Sequence, residues 1–272
     1  MNGLRLLGLI LLALFCTPAH AEERVDLALV LAADISFSVG PYELDLQRRG
    51  YVQAFRSRGV IAAMTSGYHG RTAIAYLEWG DESTQHLILP WTIIDGPESA
   101  QAVAKRLENA PLYRSGETSI SAALNVATKL FSSAPSAQRW VIDISSDGYN
   151  NDGGHVTVAR DVGLRRGITI NGLPIESEEG SGLTAYFRDC VIGGPGAFTI
   201  AVDGVEDFAP SLERKMRLEI ADQNARIYRV AAPDTTDCQI GERKVREDYN
   251  RQLDDITNGK SERWRWREGP KQ

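Results

Sequence analysis

Residues 25–41, VDLALVLAADISFSVGP, constrain the fold more than any other stretch. Val25, Leu27, Leu29, Val30 and Leu31, with the small Ala28, Ala32 and Ala33 between them, make a near-continuous apolar run. A half-exposed strand alternates apolar and polar residues. A run apolar at nearly every position has to be covered on both faces, as a strand inside a parallel sheet is. The run ends in Asp34, Ser36 and Ser38, oxygen-bearing side chains at alternate positions. Ligands of open α/β sheets bind at the carboxyl ends of the strands. One carboxylate with two hydroxyls is a hard oxygen set, suited to Mg²⁺, Mn²⁺ or Ca²⁺ rather than Zn²⁺. The motif alone proves little, since Asp-x-Ser-x-Ser arises by chance in about one chain in twenty of this length. Ser and Asp after a strand also serve turns and helix caps. Its weight comes from its place after a buried first strand and from two partners downstream.

Strands and helices alternate through most of the chain beyond residue 41. Pro41–Ser57 reads as a helix, with Leu44, Tyr51, Val52 and Phe55 on its apolar face and Glu43, Asp45, Gln47, Arg48 and Arg49 mostly solvated. Pro41 suits a first helical position, so the positive end of this helix points at the Asp34 cluster. Val60–Thr65 is a short helical turn. Thr72–Trp79 and Gln85–Trp91 read as strands joined in a hairpin through Gly80-Asp81-Glu82-Ser83. Helices are expected over 97–109, 119–132, 156–166, 183–190 and 208–224, and strands over 139–145, 168–175 and 198–202. The pattern implies an α/β fold: a doubly wound, mostly parallel sheet with helices on both faces and one antiparallel edge strand.

Met1–Ala21 has the form of a secretory signal: Arg5, the apolar run Leu6–Phe15, then the small-residue site Ala19-His20-Ala21. Cleavage before Glu22 places the mature chain in the periplasm or outside the cell. Cys16 raises a lipoprotein alternative, against which Phe15 stands where a small residue is expected. No later stretch is long and apolar enough to span a membrane. The implied domain boundaries are 1–21 for the signal, 22–233 for the folded domain and 234–272 for a charged C-terminal tail that carries Trp264 and Trp266. Losing Arg5 takes the formal net charge from −6 to −7. An acidic chain without a basic stripe is not built for nucleic acid. Cys190 and Cys238 remain, and in an exported protein such a pair is expected to form a disulfide, with two free thiols as the alternative.

Three strand-end loops carry matching chemistry. Asp34, Ser36 and Ser38 follow the first strand, Thr118 stands in the Gly-containing loop PLYRSGETSIS ahead of a helix, and Asp147 follows the apolar strand RWVIDIS. Two aspartates and three hydroxyls can surround one divalent ion. Because hydroxyls are neutral ligands, the ion would keep positive charge for a partner's carboxylate.

In these elements the sequence resembles the von Willebrand factor A domain, with its metal-ion-dependent adhesion site. The resemblance places Asp34, Ser36 and Ser38 in DISFS, Thr118 in SGETSISAAL and Asp147 in VIDISSDG. It spans about Val25–Ala231. It implies a Rossmann-like fold and a Mg²⁺ site, with Mn²⁺ and Ca²⁺ as alternatives. It further implies a protein partner held through a metal-bridged carboxylate, and no catalysis. The Ser and Thr hydroxyls would contact the metal, and the aspartates would act largely through water or hydrogen bonds. More closely, the chain resembles a bacterial family of exported proteins of unknown function that share a stretch like YFRDCVIGGPGAF, here Tyr186–Phe198. Two positions depart from the usual pattern: Phe37 stands where Gly is common, and Ser146 where Thr is common. Phe37 is expected to narrow access to the ion or to form part of the partner surface. Asp143 is a rival to Asp147 but lies inside its strand.

Other candidates are weaker. The loop from Gly148 to Gly153 hints at a calcium site but lacks the opening acid and has Ala159 where the closing Glu belongs. His69, His86 and His155 have no metal spacing. Ser177 and Ser181 have no nucleophile context, Glu176, Glu178 and Glu179 read as a solvated loop, and residues 193–196 read as a turn. Tyr149, Trp79, Trp91 and Tyr113 are candidate contact aromatics, with core packing an equal account of the two tryptophans. A metal-dependent hydrolase is an alternative function, for which no general base presents itself. A structural domain with a vestigial metal site is another.

Overall fold

The computed structural model describes residues 23–176, 182–204, 207–221 and 236–257. The signal segment 1–21, the Glu178–Glu179 pair, the nucleophile candidates Ser177 and Ser181, and Trp264 and Trp266 lie outside these residues.

The apolar run becomes the central strand β1, Val25–Asp34, in which every residue but Asp26 is buried. It pairs in parallel with β2 (Thr72–Trp79) on one side and with β4 (Ala137–Ser146) on the other. β2 is buried at all eight positions, as a strand covered on both faces must be. The full sheet order is β3-β2-β1-β4-β5-β6, with β3 (Gln85–Ile94) antiparallel on β2, and β5 (Thr169–Glu176) and β6 (Val202–Asp203) parallel. The mostly parallel sheet with one antiparallel edge strand matches the sequence expectation.

One face of the sheet carries α1 (Pro41–Arg56), α2 (Arg58–Met64), α3 (Pro97–Asn109) and α7 (Phe208–Ala221). These pack on Leu27, Leu29, Leu31, Ile74 and Tyr76. The other face carries α4 (Ile120–Leu130), α5 (Val156–Arg165) and α6 (Leu183–Tyr186), packed on Ala28, Val30, Ala32, Ala75, Ile142 and Ile144. Odd and even positions of β1 therefore feed two separate cores, and this explains why the strand shows no alternation.

Four details differ from the sequence expectation. Gln47 and Arg48, read as solvated, are 1% and 5% exposed. Arg48 is sunk because Glu78 on β2 and the carbonyls ending α3 receive its guanidinium. β3 runs three residues further than expected, to Ile94, and tolerates Pro90 because it is an edge strand. The last strand shrinks to Val202–Asp203. The loop before it takes the edge of β5 instead, through single bridges from Gly193 to Ile170 and from Thr199 to Gly172. The expected turn at 193–196 is present, with Gly194 and Gly196 at φ 96° and 71°. The segment 234–272, read as a charged tail, carries helix α8 (Ile240–Thr257). Its entry is held by the Cys190–Cys238 disulfide, as expected for the pair.

Gly50 on α1 lies where α7 crosses. An added Cβ would sit 2.7 Å from Phe208 Cδ1 and 3.4 Å from Ala209 Cα. Gly→Ala inside a helix ordinarily gains up to ~1 kcal/mol. Here Phe208 is fully buried and packed edge-on to Tyr51 at 5.6 Å, so the ring has no room to yield. Overpacking therefore wins, and Gly50→Ala is expected to destabilise the fold by ~1–2 kcal/mol in urea unfolding. A gain in stability would contradict this packing.

Candidate metal-ion site

β1 and β4 are adjacent in the sheet, yet their continuations part. β1 leads to α1 on one face, and β4 leads to α5 on the other. A crevice opens where the connections diverge, which is the general ligand position of such sheets. All five expected site residues meet there.

Asp34 closes β1 and is fully buried. Its Oδ1 accepts the Ser36 N–H at 2.7 Å, and its Oδ2 accepts the Ser146 hydroxyl at 2.5 Å. Gln47 donates to the Asp34 carbonyl at 2.9 Å, pinning the strand end to α1. The hydroxyls form a chain. Thr118 Oγ1 lies 3.1 Å from Ser36 Oγ, Ser36 Oγ lies 2.9 Å from Ser38 Oγ, and Ser38 donates to Asp147 Oδ1 at 2.6 Å. Asp34, Ser36 and Thr118 form a buried floor, while Ser38 is exposed and Asp147 half-buried at the mouth.

The backbone around the site is tied from three sides. The Phe37 and Ser115 amides donate to the carbonyls of Gly116 and Ile35, each at 2.9 Å, so the Thr118 loop runs beside Ser36. The Thr118 amide donates to Asn151 Oδ1 at 2.7 Å, and the Asn151 amide returns a bond to the Thr118 carbonyl at 2.9 Å. The side chain of Asn150, fully buried, accepts from the Ser121 amide at 2.8 Å and donates to Gly154 and to Glu242 of α8. The loop that hints at a calcium site in sequence thus serves as a clamp on the Thr118 turn. Gly148 lets Thr118 approach closely, since a Cβ there would press on Thr118 Oγ1 at 3.1 Å.

Burial raises the Asp34 carboxyl to about 7, with the nearby Asp147 adding to the shift and bonds from Ser146 and Ser36 opposing it. Asp147 is also raised, first by burial, with Ser38 opposing and Glu43 reinforcing the shift. Two carboxyls held in this strained electrostatic state beside three hydroxyls fit a hard divalent cation, whose charge would offset both the desolvation and the repulsion. Among the described residues no three His, Cys, Asp or Glu side chains gather into a metal cluster. The donor set here is mixed carboxylate and hydroxyl.

Asp143 faces away from the site into the α7 side of the sheet, where it meets Lys215. Phe37 is 60% exposed, and its ring lies under the Arg114 guanidinium at 5.1 Å, so it forms part of the rim rather than plugging the floor. Tyr113 is also exposed and stacks on His86 at 4.2 Å. Trp79 is fully buried and Trp91 packs on Phe131, so both belong to the core. Tyr149 packs edge-on to Tyr186, and Lys244 of α8 lies 4.7 Å from its ring centroid. Sequence reasoning misses Ser146, Asn150 and Asn151 as positioning residues. Each reads as an ordinary turn residue, and only the strand-end position of Ser146 hints otherwise.

The sheet order and the hydroxyl-rich crevice define a von Willebrand factor A-like domain. The chain belongs to the family described as "Protein of unknown function (DUF1194)", whose model matches residues 24–224. No curated protein matches it in sequence. Among solved structures, it is similar to the pilus adhesin SpaC from Lactobacillus rhamnosus GG in its open conformation, at 10% identity and a TM-score of 0.54, over 72% of this chain and 30% of that one. It is also similar to proximal thread matrix protein 1 from the mussel byssus with a zinc-occupied MIDAS motif, at 15% identity and a TM-score of 0.51, over 73% of this chain and 47% of that one. A von Willebrand factor type A structure from Catenulispora acidiphila matches at 16% identity and a TM-score of 0.49, over 72% and 42%. This chain spans less than half the length of each of these three proteins. At such identities the likeness concerns the fold.

Proposed function

We propose that this protein is an exported binding module that takes up a divalent cation, Mg²⁺ before Mn²⁺ or Ca²⁺, through Asp34, Ser36, Ser38, Thr118 and Asp147. Its partner is a protein that offers an acidic group at the mouth of the site, and the module performs no catalysis. One observation carries the reading: five oxygen-bearing side chains from three separate loops, two after strands and one between α3 and α4, are joined by a continuous chain of hydrogen bonds in one crevice. The metal-bearing MIDAS of the mussel protein and the adhesin fold of SpaC support it. Export rests on the signal-like Met1–Ala21 segment, and the Cys190–Cys238 disulfide agrees with an oxidising compartment.

When bound, the cation would supply an open coordination position for an anionic oxygen. The chain's own part is to hold its donors in place. Asp34 and Ser146 fix the floor, and the Asn151 clamp fixes Thr118. The N-terminus of α1, three residues past Ser38, adds positive potential beside an incoming carboxylate.

Calorimetric titration of Mg²⁺, Mn²⁺ and Ca²⁺ into the mature protein tests the reading. The wild type is expected to bind one ion. Asp34→Ala is expected to lose at least tenfold in affinity while keeping its circular dichroism. Equal affinity in the two proteins would overturn the assignment of the site.

A further inference from the structure

Another buried polar cluster lies on the α7 side of β4 and belongs to no part of the ion site. Lys215 of α7 is fully buried, and Asp143 of β4 and Glu219 of α7 are each 2% exposed. The Lys215 ammonium contacts Asp143 Oδ1 directly and lies 3.7 Å from Glu219 Oε2. The Asp143 carboxyl acts electrostatically on Glu219, which shares the same ammonium. Neither Asp143 oxygen, nor Lys215 Nζ, nor Glu219 Oε2 makes a well-formed hydrogen bond among the described residues. Arg139 is a further charged neighbour, its guanidinium donating to the Glu219 and Ile220 carbonyls at 3.1 and 3.3 Å. The Phe198 ring lies 5.2 Å from the ammonium, and Asn171 spends its side chain on Glu219 and the Phe198 amide. Tyr51, whose hydroxyl bonds Ser145, is a further polar neighbour.

Fully ionised, the three groups would bury one uncompensated negative charge, and a proton on one carboxyl removes it. Glu219 holds that proton. Burial, and then Asp143, push its pKa up to about 8, against the opposing pull of Lys215 and Asn171. The result is an amine source, a carboxyl in contact with it and a second, protonated carboxyl beside the same ammonium, all three buried.

We propose that Lys215 and Asp143 form an intramolecular amide cross-link, with Glu219 carrying the proton. Proton transfer within the ion pair gives a neutral amine and a carboxylic acid. The Lys215 Nζ lone pair attacks Asp143 Cγ, and the new C–N bond forms as the C=O pair moves onto oxygen. Glu219 gives its proton to the departing hydroxyl and takes up the one that nitrogen sheds. The C–O bond then breaks, one water leaves, and Glu219 ends in the state in which it began. No oxidant, cofactor or energy source enters the balance. Close contact replaces a bimolecular encounter, and the dry site favours the neutral reactants and expels the water formed. The product exchanges two buried charges for one neutral amide joining the centre of the sheet to α7.

Intact mass spectrometry of the full chain, denatured and reduced, decides the matter once its N-terminus is fixed from the terminal peptide. The expected mass is one water below that of the residues present, and proteolysis is expected to yield two peptides joined at Asp143 and Lys215. A full mass with a linear peptide containing free Lys215 would overturn the cross-link. So would a missing water that maps elsewhere, such as to a cyclised aspartate. Glu219→Gln keeps the side-chain shape and is expected to give folded protein at full mass. The same junction forming in that variant would overturn the role of Glu219. If the variant does not fold, the wild-type mass and junction peptide still settle the cross-link.

Discussion

Arg48→Met is expected to destabilise the domain by ~3–5 kcal/mol, the usual result of stripping one partner from a buried ion pair. Arg48 enters from α1 and meets Glu78 through Nε at 2.9 Å and through Nη2. Its Nη1 donates to the carbonyls of Leu107 and Ala110 at 2.7 and 3.2 Å, satisfying the end of α3. Tyr76 donates to the same Glu78 oxygen at 3.2 Å. Burial already raises the Glu78 carboxyl, and the charge and hydrogen bonds of Arg48 are the main forces holding it down. Without them the carboxyl must either stay charged without its cation or take up a proton, and the α3 carbonyls lose their donor. Urea unfolding of the purified variant measures the loss, and a change below ~1 kcal/mol would show that the pair is not what holds α1 to the sheet. The double replacement Arg48→Met with Glu78→Leu separates the causes. If uncompensated charge dominates, the second change recovers much of the loss.

Arg48 also shows where sequence reading ends. Its helix was legible from Pro41 and from the spacing of Leu44, Tyr51, Val52 and Phe55, because these are local signals of capping and apolar periodicity. Its burial was not legible, because the partner lies thirty residues away on a strand in which Glu78 is the one charged residue. The same reason hides Asp143, Lys215 and Glu219. Asp143 looks like a stray acid in an apolar strand end and Lys215 and Glu219 look like members of a charged helix face, and only the packing of α7 on β4 brings them together. The ion-site residues were the reverse case. Asp34, Ser36 and Ser38 are neighbours in sequence, Thr118 stands two residues after Gly116 just ahead of a helix, and Asp147 stands beside Gly148 just after a strand. The chemistry therefore coincides with local signals. Ser146, Asn150 and Asn151 do their work through hydrogen bonds across loops and gave no such pattern.

The charged segment after residue 234 gave least in sequence, and its attachment leads to the other large effect. Replacing Cys190 and Cys238 together by Ser is expected to cost up to ~4 kcal/mol in the chain-entropy account, for a loop with a sequence separation of 48. The disulfide stands two residues ahead of α8, whose first turn lies on the Asn150 loop. Glu242 Oε1 accepts from Asn150 Nδ2 at 2.8 Å, and a Cβ on Gly241 would lie 2.0 Å from the Asn150 carbonyl oxygen. Asn150 orients the start of α4, and its neighbour Asn151 holds Thr118. Losing the tether should therefore reach the ion site as well as global stability. Ion affinity in the double Ser variant is expected to fall severalfold at a temperature where it is still folded. Glu242→Ala, which leaves the disulfide in place, removes only the Asn150 contact. It is expected to reproduce part of the affinity loss with little change in the urea midpoint. Undiminished affinity in both proteins would show that the Asn150 loop keeps its shape without α8, and would confine the disulfide to a purely stabilising role.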